Sequence, residues 1–468
     1  MRVAIIDIGS NAIRAAIYED NSLGASEIFN EKFRSDVSSL LAMDSIDVKH
    51  GTYNIFSYFI SIFERLNVSI ISCVATEILR THPKANEFIK EIEKRFQLKI
   101  KVLTGDEEAR ISAQGLISTS LDVNGIAADL GGGSLELAEI QHNKIIQVKS
   151  LPIGTKVLDA LEDNNPASIE NAISTEFEVT NYDNLYLIGG ALRLLGRCYM
   201  DYNGNIIKNL HNLIISRDKF TNFLTQLSEM QKFQKFMKQY KINKHAIVAV
   251  QGLINYFEPK NLIISTYGLK EGVRFNLLPD EEKKRDIVID RCIHLIPNNR
   301  IPEIKIDDYV GLFESVIHNL NAAQKKLLNI SLILSQATDN IEKNHKSEWI
   351  VNYILTADIP FDQCQRSSLI VAMGGAFNTK INAIPKGIWK LLSKEDYAFA
   401  QMIGAFLKIS MILDGPVLNS PSFNLRENNK YLEIDVHTIV PKSVFERVCE
   451  QLKVMGIARR IYLEESRK

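Results

Sequence analysis

The stretch GIAADLGGGSLE, residues 125–136, combines acidic residues with consecutive glycines. An apolar run ends in Asp129, and Glu136 lies on the next strand-like run. Because glycine has no side chain, consecutive backbone N–H groups can approach an anion that a Cβ would block. The stretch therefore predicts a phosphate-binding loop, with a plain hairpin turn as the alternative for this motif alone. The predicted phosphate-binding residues of this loop are Gly131, Gly132, Gly133 and Ser134.

The two carboxylates beside this loop predict a cation. Asp129 precedes the glycines and Glu136 follows them, and alone both would repel a phosphate. A divalent cation between them removes the conflict, and Mg²⁺ is the usual choice where carboxylate and phosphate oxygens meet. We therefore expect Asp129 and Glu136 to bind magnesium.

The N-terminus repeats the pattern in VAIIDIGSNAIRAAIYE, where a strand ends at Asp7 and a second strand runs from Ile13 to Tyr18. Ser10 and Asn11 in the loop between them can donate hydrogen bonds to phosphate oxygens. A capped turn is the alternative role for Asp7. Two such hairpins in one chain resemble the actin-like (ribonuclease H-like) fold. The fold class predicted is α/β, with two actin-like lobes around a phosphate cleft.

Between the loops, LTGDEEARISAQGLIS predicts a helix that begins after a strand and runs to about Leu121. Thr104 offers a capping oxygen, and Glu107 and Glu108 fall in the first turn. Glu107 is interpreted as a partner of the helix dipole. Glu108, aimed into a phosphate cleft, could accept a proton from water and turn the water into a nucleophile.

Six motifs in this order resemble the exopolyphosphatase and guanosine pentaphosphate phosphohydrolase family: GSNAIR, ATEILR, GDEEAR, ADLGGGSLE, SLPIG and GLKEGV. They span roughly the first 280 residues. The resemblance implies that Glu108 is the general base and that Asp129 and Glu136 handle metal and water. It also implies that Arg80 is a cleft arginine and that residues 131–134 form the phosphate loop. Taken alone, Arg80 could equally be a surface residue.

Two positions depart from the family pattern. Ala12 stands where many relatives carry a serine or threonine, and Ala191 follows the glycine pair Gly189 and Gly190 where relatives often carry a hydroxyl. These residues predict weaker anion contacts. The backbone N–H groups of Gly189 and Gly190 remain available to bind phosphate.

The composition favours a cytoplasmic enzyme. The chain has 468 residues, 46% of them hydrophobic, and a formal net charge of −1, so a polyanion must be held by a local patch rather than by global attraction. Candidate residues for that patch are Arg14, Arg80, Arg110 and Arg193. The five scattered cysteines have no CxxC spacing and indicate reduced thiols. We also expect no signal peptide, no membrane span and no nucleic-acid partner.

The pattern divides the chain into three predicted domains: lobe I over residues 1–122, lobe II over 123–300, and a mostly helical domain over 305–468. A linker is predicted near 296–304. The resemblance implies that the last domain is related to HD phosphohydrolases in degenerate form, because Ser335 and Gln336 stand where a His-Asp or Ser-Asp pair is expected. His345 is isolated, so a second hydrolase centre is not predicted.

The leading functional hypothesis is a magnesium-dependent exopolyphosphatase that removes terminal phosphate from inorganic polyphosphate. The first alternative is hydrolysis of guanosine pentaphosphate, which ends in the same phosphoanhydride and would link the protein to the stringent response. A nucleotide- or polyphosphate-binding regulator without turnover is the alternative from another class. A sugar kinase is disfavoured, since no sugar-binding motif is evident. We also expect a homodimer.

Overall fold

The structure is a computed structural model that describes most of the chain. The described residues are 1–10, 12–34, 37–42, 51–119, 122–160, 165–178, 182–229, 239–296, 305–338, 340–378, 384–415, 418–427, 431–436, 440–457 and 460–465. They form two compact units, Met1–Asn205 with Leu210–Ile287, and Ile206–Asn209 with Val288–Lys468. The predicted linker lies outside the described residues apart from Ile296. The three-domain division stays a prediction.

The first sheet carries the N-terminal loop. Its five strands lie in the order β3-β2-β1-β4-β5, and β1 pairs antiparallel with β2 but parallel with β4. The strands are β1 (Arg2–Ile8), β2 (Ala12–Tyr18), β3 (Glu27–Arg34), β4 (Val68–Ala75) and β5 (Ile100–Val102). The central strand β1 is apolar and mostly buried, as expected for a strand covered on both faces. Asp7 is the polar residue near its carboxyl end.

The second sheet carries the glycine-rich loop and repeats the plan of the first. Its six strands lie in the order β10-β11-β9-β6-β7-β8, where β6 pairs antiparallel with β7 and parallel with β9. The strands are β6 (Gly125–Leu130), β7 (Leu135–Gln141), β8 (Lys144–Leu151), β9 (Asn184–Ile188), β10 (Leu213–Ser216) and β11 (Asn261–Ile264). Both predicted loops therefore connect the first two strands of a mixed sheet.

Helices cover these sheets. In the first unit they are α1 (Val37–Ala42), α2 (Gly51–Arg65), α3 (Glu77–Thr81), α4 (Ala85–Phe96), α5 (Gly105–Ile117), α6 (Thr155–Ala160), α7 (Pro166–Ser174), α8 (Gly190–Tyr202), α9 (Arg217–Glu229), α10 (Lys244–Phe257), α11 (Leu269–Leu277) and α12 (Asp280–Lys283). The expectation that α5 runs to about Leu121 is wrong. The helix ends at Ile117, where the N–H of Ser118 already bonds to the Gln114 carbonyl as a C-cap.

Helices α5 and α11 cross at two glycines. A Cβ added to Gly115 would lie 2.9 Å from the Gly272 nitrogen, and one added to Gly272 would lie 2.9 Å from Ile111 Cγ2, with backbone carbonyls closer still in both cases. No side chain other than hydrogen fits at these distances, so the glycines set how closely the two helices approach. The crossing fixes α5, which carries Glu108 in its first turn.

The second unit is mostly helical, as predicted. Its helices are α13 (Ile287–Ile293), α14 (Ile306–Glu314), α15 (Ala322–Gln336), α16 (Lys346–Thr356), α17 (Gln363–Ala376), α18 (Lys394–Leu413) and α19 (Lys442–Val454), with a 3₁₀ turn at Ile388–Leu391. A small sheet joins β12 (Phe423–Glu427), β13 (Tyr431–Val436) and β14 (Arg460–Glu465).

The positions predicted to replace a His-Asp pair serve packing in the second unit. Ser335 and Gln336 are both buried in α15. The Ser335 hydroxyl donates to the Leu332 carbonyl at 2.7 Å, and the Gln336 side chain accepts from the Leu418 N–H at 3.0 Å. These contacts satisfy buried polar groups. The relation of this unit to HD domains stays a prediction.

Helix α18 is long and apolar enough to span a membrane, with a mean hydropathy of 1.2 over its best window. Half of that window is buried inside the protein, and Phe406 packs edge-on against Phe313 of α14 at 5.1 Å between ring centroids. The core helix of a soluble protein has the same length and composition, so this helix is weak evidence for a membrane span.

Replacing Gly272 by alanine is expected to destabilise the first unit. The new Cβ would collide with the backbone of α5, so the crossing must open, at a cost of about 3 kcal/mol in the free energy of unfolding. Urea unfolding followed by circular dichroism measures this change. Gly51→Ala is the matched control, because a Cβ there meets nothing within 4 Å. Equal stability of the two variants would show that the crossing tolerates a side chain.

Candidate active site

Strand pairing brings the predicted acidic residues onto shared faces. Asp129 on β6 lies directly opposite Glu136 on β7, so both side chains leave the same face of the second sheet. Asp7 on β1 lies opposite Arg14 on β2 in the same way. The strand pairing therefore places two pairs of side chains on shared sheet faces beside the loops. One is Asp129 with Glu136, and the other is Asp7 with Arg14.

The two glutamates of GDEEAR both lie in the first turn of α5 but have different contacts. The Thr104 side chain accepts from the Glu107 N–H at 3.1 Å, and Glu107 accepts in return from the Thr104 N–H at 2.9 Å. Glu107 also pairs with Lys101 at 2.8 Å, and these contacts lower its pKa. Glu107 therefore caps the helix, which confirms the interpretation of its role. Glu108 is left free of this capping arrangement.

Glu108 forms an ion pair with Arg80. The Arg80 guanidinium donates to Glu108 Oε2 at 3.2 Å and to the Leu103 carbonyl at 2.7 Å. Their side chains are 13% (Glu108) and 23% (Arg80) exposed, so most of each is removed from water. Arg80 is the last basic residue of α3, which follows β4 directly. The arginine is thus partly buried and bonded to two acceptors rather than freely solvated.

Four carboxyl groups in this region have raised pKa values. Burial raises the pKa of Glu108 to about 7, against the lowering effect of Arg80, and Asp129 and Asp7 add to the rise. Burial raises the pKa of Asp7 to about 6, although Arg14 and Lys32 oppose the rise. Burial also raises the pKa of Asp129, and it raises that of Glu136 further with help from Glu108 and Asp129. The charge of Asp129 thus raises the pKa of each of the other three carboxyl groups.

Hydroxyl groups and one arginine offset part of this charge. Ser112 donates to Asp129 Oδ2, and Ser150 donates to Glu136 Oε1 at 2.9 Å. Ser134 also donates to Glu136, and Arg193 lowers the pKa of Asp129. Arg193 donates to the Ser265 carbonyl at 2.9 Å, which orients its guanidinium. Ser112 is one helical turn after Glu108, so α5 supplies both groups from one face.

The glycine loop is braced by the segment after β8. Gly131 donates to the Ser134 carbonyl at 2.9 Å, which closes the loop. The N–H groups of Thr155 and Lys156 donate to the carbonyls of Gly131 and Gly132 at 3.0 and 2.8 Å. A Cβ on Gly154 would collide with the Gly132 and Gly133 backbone. The SLPIG motif and the residues directly after it therefore support the glycine loop.

The second glycine pair has two different roles. Gly189 has φ 97°, and a Cβ there would lie 2.8 Å from Asp129 Oδ1 and 2.6 Å from the Leu130 carbonyl oxygen. Glycine is therefore required where this turn approaches β6. Gly190 starts α8 in open space, with Ala191 behind it. The structure places the start of α8 beside Asp129, where backbone N–H groups favour an anion.

The N-terminal loop is described only in part. Ser10 donates its hydroxyl to Glu77 Oε2 at 3.0 Å, and its carbonyl accepts from Lys156 Nζ at 3.2 Å. Asn11 lies outside the described residues, so its predicted phosphate contact stays a prediction. Ala12 is buried in β2.

The four arginines proposed as a basic patch differ in their surroundings. Arg14, Arg80 and Arg193 all lie within electrostatic reach of the acidic residues. Arg110 is exposed on α5.

Three polar residues at the site were not predicted from the sequence: Ser112, Glu77 and Glu271. Helical spacing from Glu108 could have indicated Ser112. Glu271 lies inside the quoted GLKEGV motif, where Lys270 and Arg193 hold its pKa below the usual range despite burial. Glu77 lies inside ATEILR, but no periodicity points to its contact with Ser10.

The donor set fits a hard cation bound through few protein ligands. Asp129 and Glu136 supply carboxylate oxygens, the ligand type that Mg²⁺ prefers. Over the described part of the chain, no group of three or more His, Cys, Asp or Glu side chains is arranged to hold a metal ion. Magnesium usually keeps several waters and is held by one or two carboxylates plus substrate phosphates. Asp129 and Glu136 could hold it in that manner.

Comparison with known structures shows the actin-like fold. The Aquifex aeolicus member of the Ppx/GppA protein family is 22% identical, with a TM-score of 0.51 over 58% of this chain and 96% of that one. An exopolyphosphatase from Cytophaga hutchinsonii is 20% identical, with a TM-score of 0.50 over 59% and 97%. The model of the Ppx/GppA phosphatase family matches residues 19–281, more than half of the chain. The chain belongs to this family, which confirms the resemblance and the predicted fold class.

Curated relatives match parts of their own length. A guanosine-5'-triphosphate,3'-diphosphate pyrophosphatase of Pseudoalteromonas translucida is 28% identical over 155 residues, which is 32% of this chain and 31% of the relative. Retrograde regulation protein 2 of Saccharomyces cerevisiae is 24% identical over 369 residues, 64% of this chain and 62% of the relative. The chain thus aligns with less than two thirds of either protein.

Arg80→Gln is expected to move the pKa of Glu108 further above about 7, because the guanidinium opposes the effect of burial. The pKa is measured by ¹³C NMR titration of labelled glutamate carboxyl groups. Arg110→Gln on the exposed face of α5 is the control and should leave the titration unchanged. A Glu108 pKa that stays the same, or falls, in Arg80→Gln would refute this pairing.

Proposed function

We propose that the protein hydrolyses phosphoanhydrides and acts as an exopolyphosphatase on inorganic polyphosphate. The observation that supports this most strongly is Glu108, a sheltered carboxyl group with a pKa of about 7 that faces Arg80 and lies within electrostatic reach of Asp129. A general base works best when its pKa lies near the working pH, and burial supplies that shift here. Membership of a phosphatase family supports the same reaction class.

Water is the nucleophile in the proposed mechanism. Glu108 in its ionised form accepts a proton from the water, which attacks the terminal phosphorus in line with the bridging oxygen that leaves. The Gly131 N–H already bonds to the Ser134 carbonyl, so the N–H groups of Gly132 and Gly133 and those at the start of α8 hold the equatorial oxygens. Arg80 keeps part of the Glu108 population ionised. Phosphoryl transfer needs mainly such positioning and charge neutralisation.

Magnesium is the proposed cofactor, held by Asp129 and Glu136. When bound, it would neutralise charge on the phosphate and let the carboxylates and the anion share one site. Ser112, Ser134 and Ser150 orient these two carboxylates through their hydroxyl groups. The carboxylates must be ionised to bind it, so their raised pKa values make binding pH-dependent.

Hydrolysis of guanosine pentaphosphate is the second candidate, supported by the Pseudoalteromonas relative. A binding protein without turnover is the third, supported by the longer alignment with the yeast regulation protein. A cytoplasmic location and a homodimer remain predictions.

One experiment separates these candidates. Orthophosphate release is measured side by side on long polyphosphate, tripolyphosphate and guanosine pentaphosphate, with Mg²⁺ and in chelator. We expect release from long polyphosphate at the highest kcat/KM. Preferred release from the nucleotide would favour the second candidate, and no release from any substrate would favour the binding protein.

Glu108→Gln is expected to lower kcat by about 10²-fold or more while polyphosphate binding is kept, because glutamine keeps the shape and loses the base. For the unmodified protein, kcat/KM should rise with pH through about 7, since Glu108 must lose its proton to act. Glu107→Gln is the matched control, because glutamine also completes the capping arrangement. Full activity of Glu108→Gln would transfer the role to another group.

Asp129→Asn should lower kcat and raise the Mg²⁺ concentration that gives half-maximal activity. The substitution removes a charge from the proposed cation site and keeps the volume. Asp122→Asn, at an exposed aspartate of the same unit, is the control and should behave as the unmodified protein. Activity that is as high in excess chelator as in Mg²⁺ would refute the metal proposal.

A further inference from the structure

Glu77 places a carboxylate between the two phosphate loops. It lies in the first turn of α3, directly after Thr76 at the end of the β4 segment. Its Oε2 accepts from the Ser10 hydroxyl at 3.0 Å, and its Oε1 accepts from the Thr81 hydroxyl at 3.2 Å. Glu77 therefore holds the Ser10 donor that was predicted to meet a phosphate oxygen.

The same carboxylate covers the glycine loop. A Cβ added to Gly133 would lie 2.8 Å from Glu77 Cγ and closer still to its carboxylate, so Glu77 packs directly against this glycine. On another side, the Gly132 and Gly133 backbone packs against Gly154. Glu77 thus touches the N-terminal loop through Ser10 and the glycine loop through Gly133.

A carboxylate in this position opposes phosphate in two ways. It holds a hydroxyl that would otherwise donate to a phosphate oxygen. It also places a negative charge beside the loop whose N–H groups attract anions, and like charges a few ångströms apart repel even with partial exposure to water.

We propose that the Glu77 carboxylate competes with phosphate for Ser10 and the Gly133 face of the loop. Phosphate enters when the Glu77 side chain turns away. The residue thereby weakens the binding of free orthophosphate, the reaction product. This inference rests on the proposed phosphate site.

Glu77→Gln tests the proposal, because glutamine keeps a side-chain oxygen for Ser10 and removes the charge. Orthophosphate affinity is measured by ³¹P NMR titration in saturating Mg²⁺ at fixed ionic strength, and turnover does not interfere because orthophosphate is the product. We expect roughly tenfold tighter binding by Glu77→Gln than by the unmodified protein. Glu87→Gln removes the same charge from an exposed position on α4 and should bind as the unmodified protein does.

The outcomes separate this proposal from the proposed function. Equal affinities would show that Glu77 only braces the loops, and weaker binding by Glu77→Gln would show that it helps to hold the anion. Either result overturns the competition and leaves the phosphate site standing. No binding by any variant would overturn the phosphate site itself. Glu77→Ala, checked for folding by circular dichroism, repeats the measurement without the side-chain oxygen and should also bind more tightly.

Discussion

The constraint on which the site depends is the gathering of four carboxyl groups away from water. Asp7, Glu108, Asp129 and Glu136 all have raised pKa values, with burial as the largest cause in each case. Arginines and hydroxyl groups offset this charge only in part. Protons or a cation must supply the remainder. A region with this excess of negative charge can bind a cation together with an anion. Phosphoryl transfer requires both.

The scaffold keeps these groups together through backbone contacts that side chains would prevent. The α5–α11 crossing at Gly115 and Gly272 fixes the helix that carries both Glu108 and Ser112. Gly154 lets the segment after β8 support the glycine loop from behind. Side chains added at these glycines would displace α5 and the glycine loop without changing a charged residue.

The sequence predicted the parts of the site that lie in continuous motifs. Asp129, the glycine loop and Glu108 follow from local spacing, and Arg80 followed from the family resemblance. The Ser10–Glu77 contact joins residues 67 positions apart, so no local sequence pattern indicates it. Strand β3 was missed because EIFNEKFR is mostly exposed and charged, as edge strands are. The end of α5 was misplaced because its C-cap depends on backbone geometry and not on a glycine.

The most direct test of this account is the number of protons exchanged when Mg²⁺ binds near pH 7. Calorimetry in buffers of different ionisation enthalpy gives that number. The account predicts a net release of protons, because the raised pKa values of Asp129 and Glu136 keep protons on these carboxyl groups that must leave before the groups hold the cation. Binding with no proton release, or no binding at all, would contradict the claim that these carboxylates form a cation site.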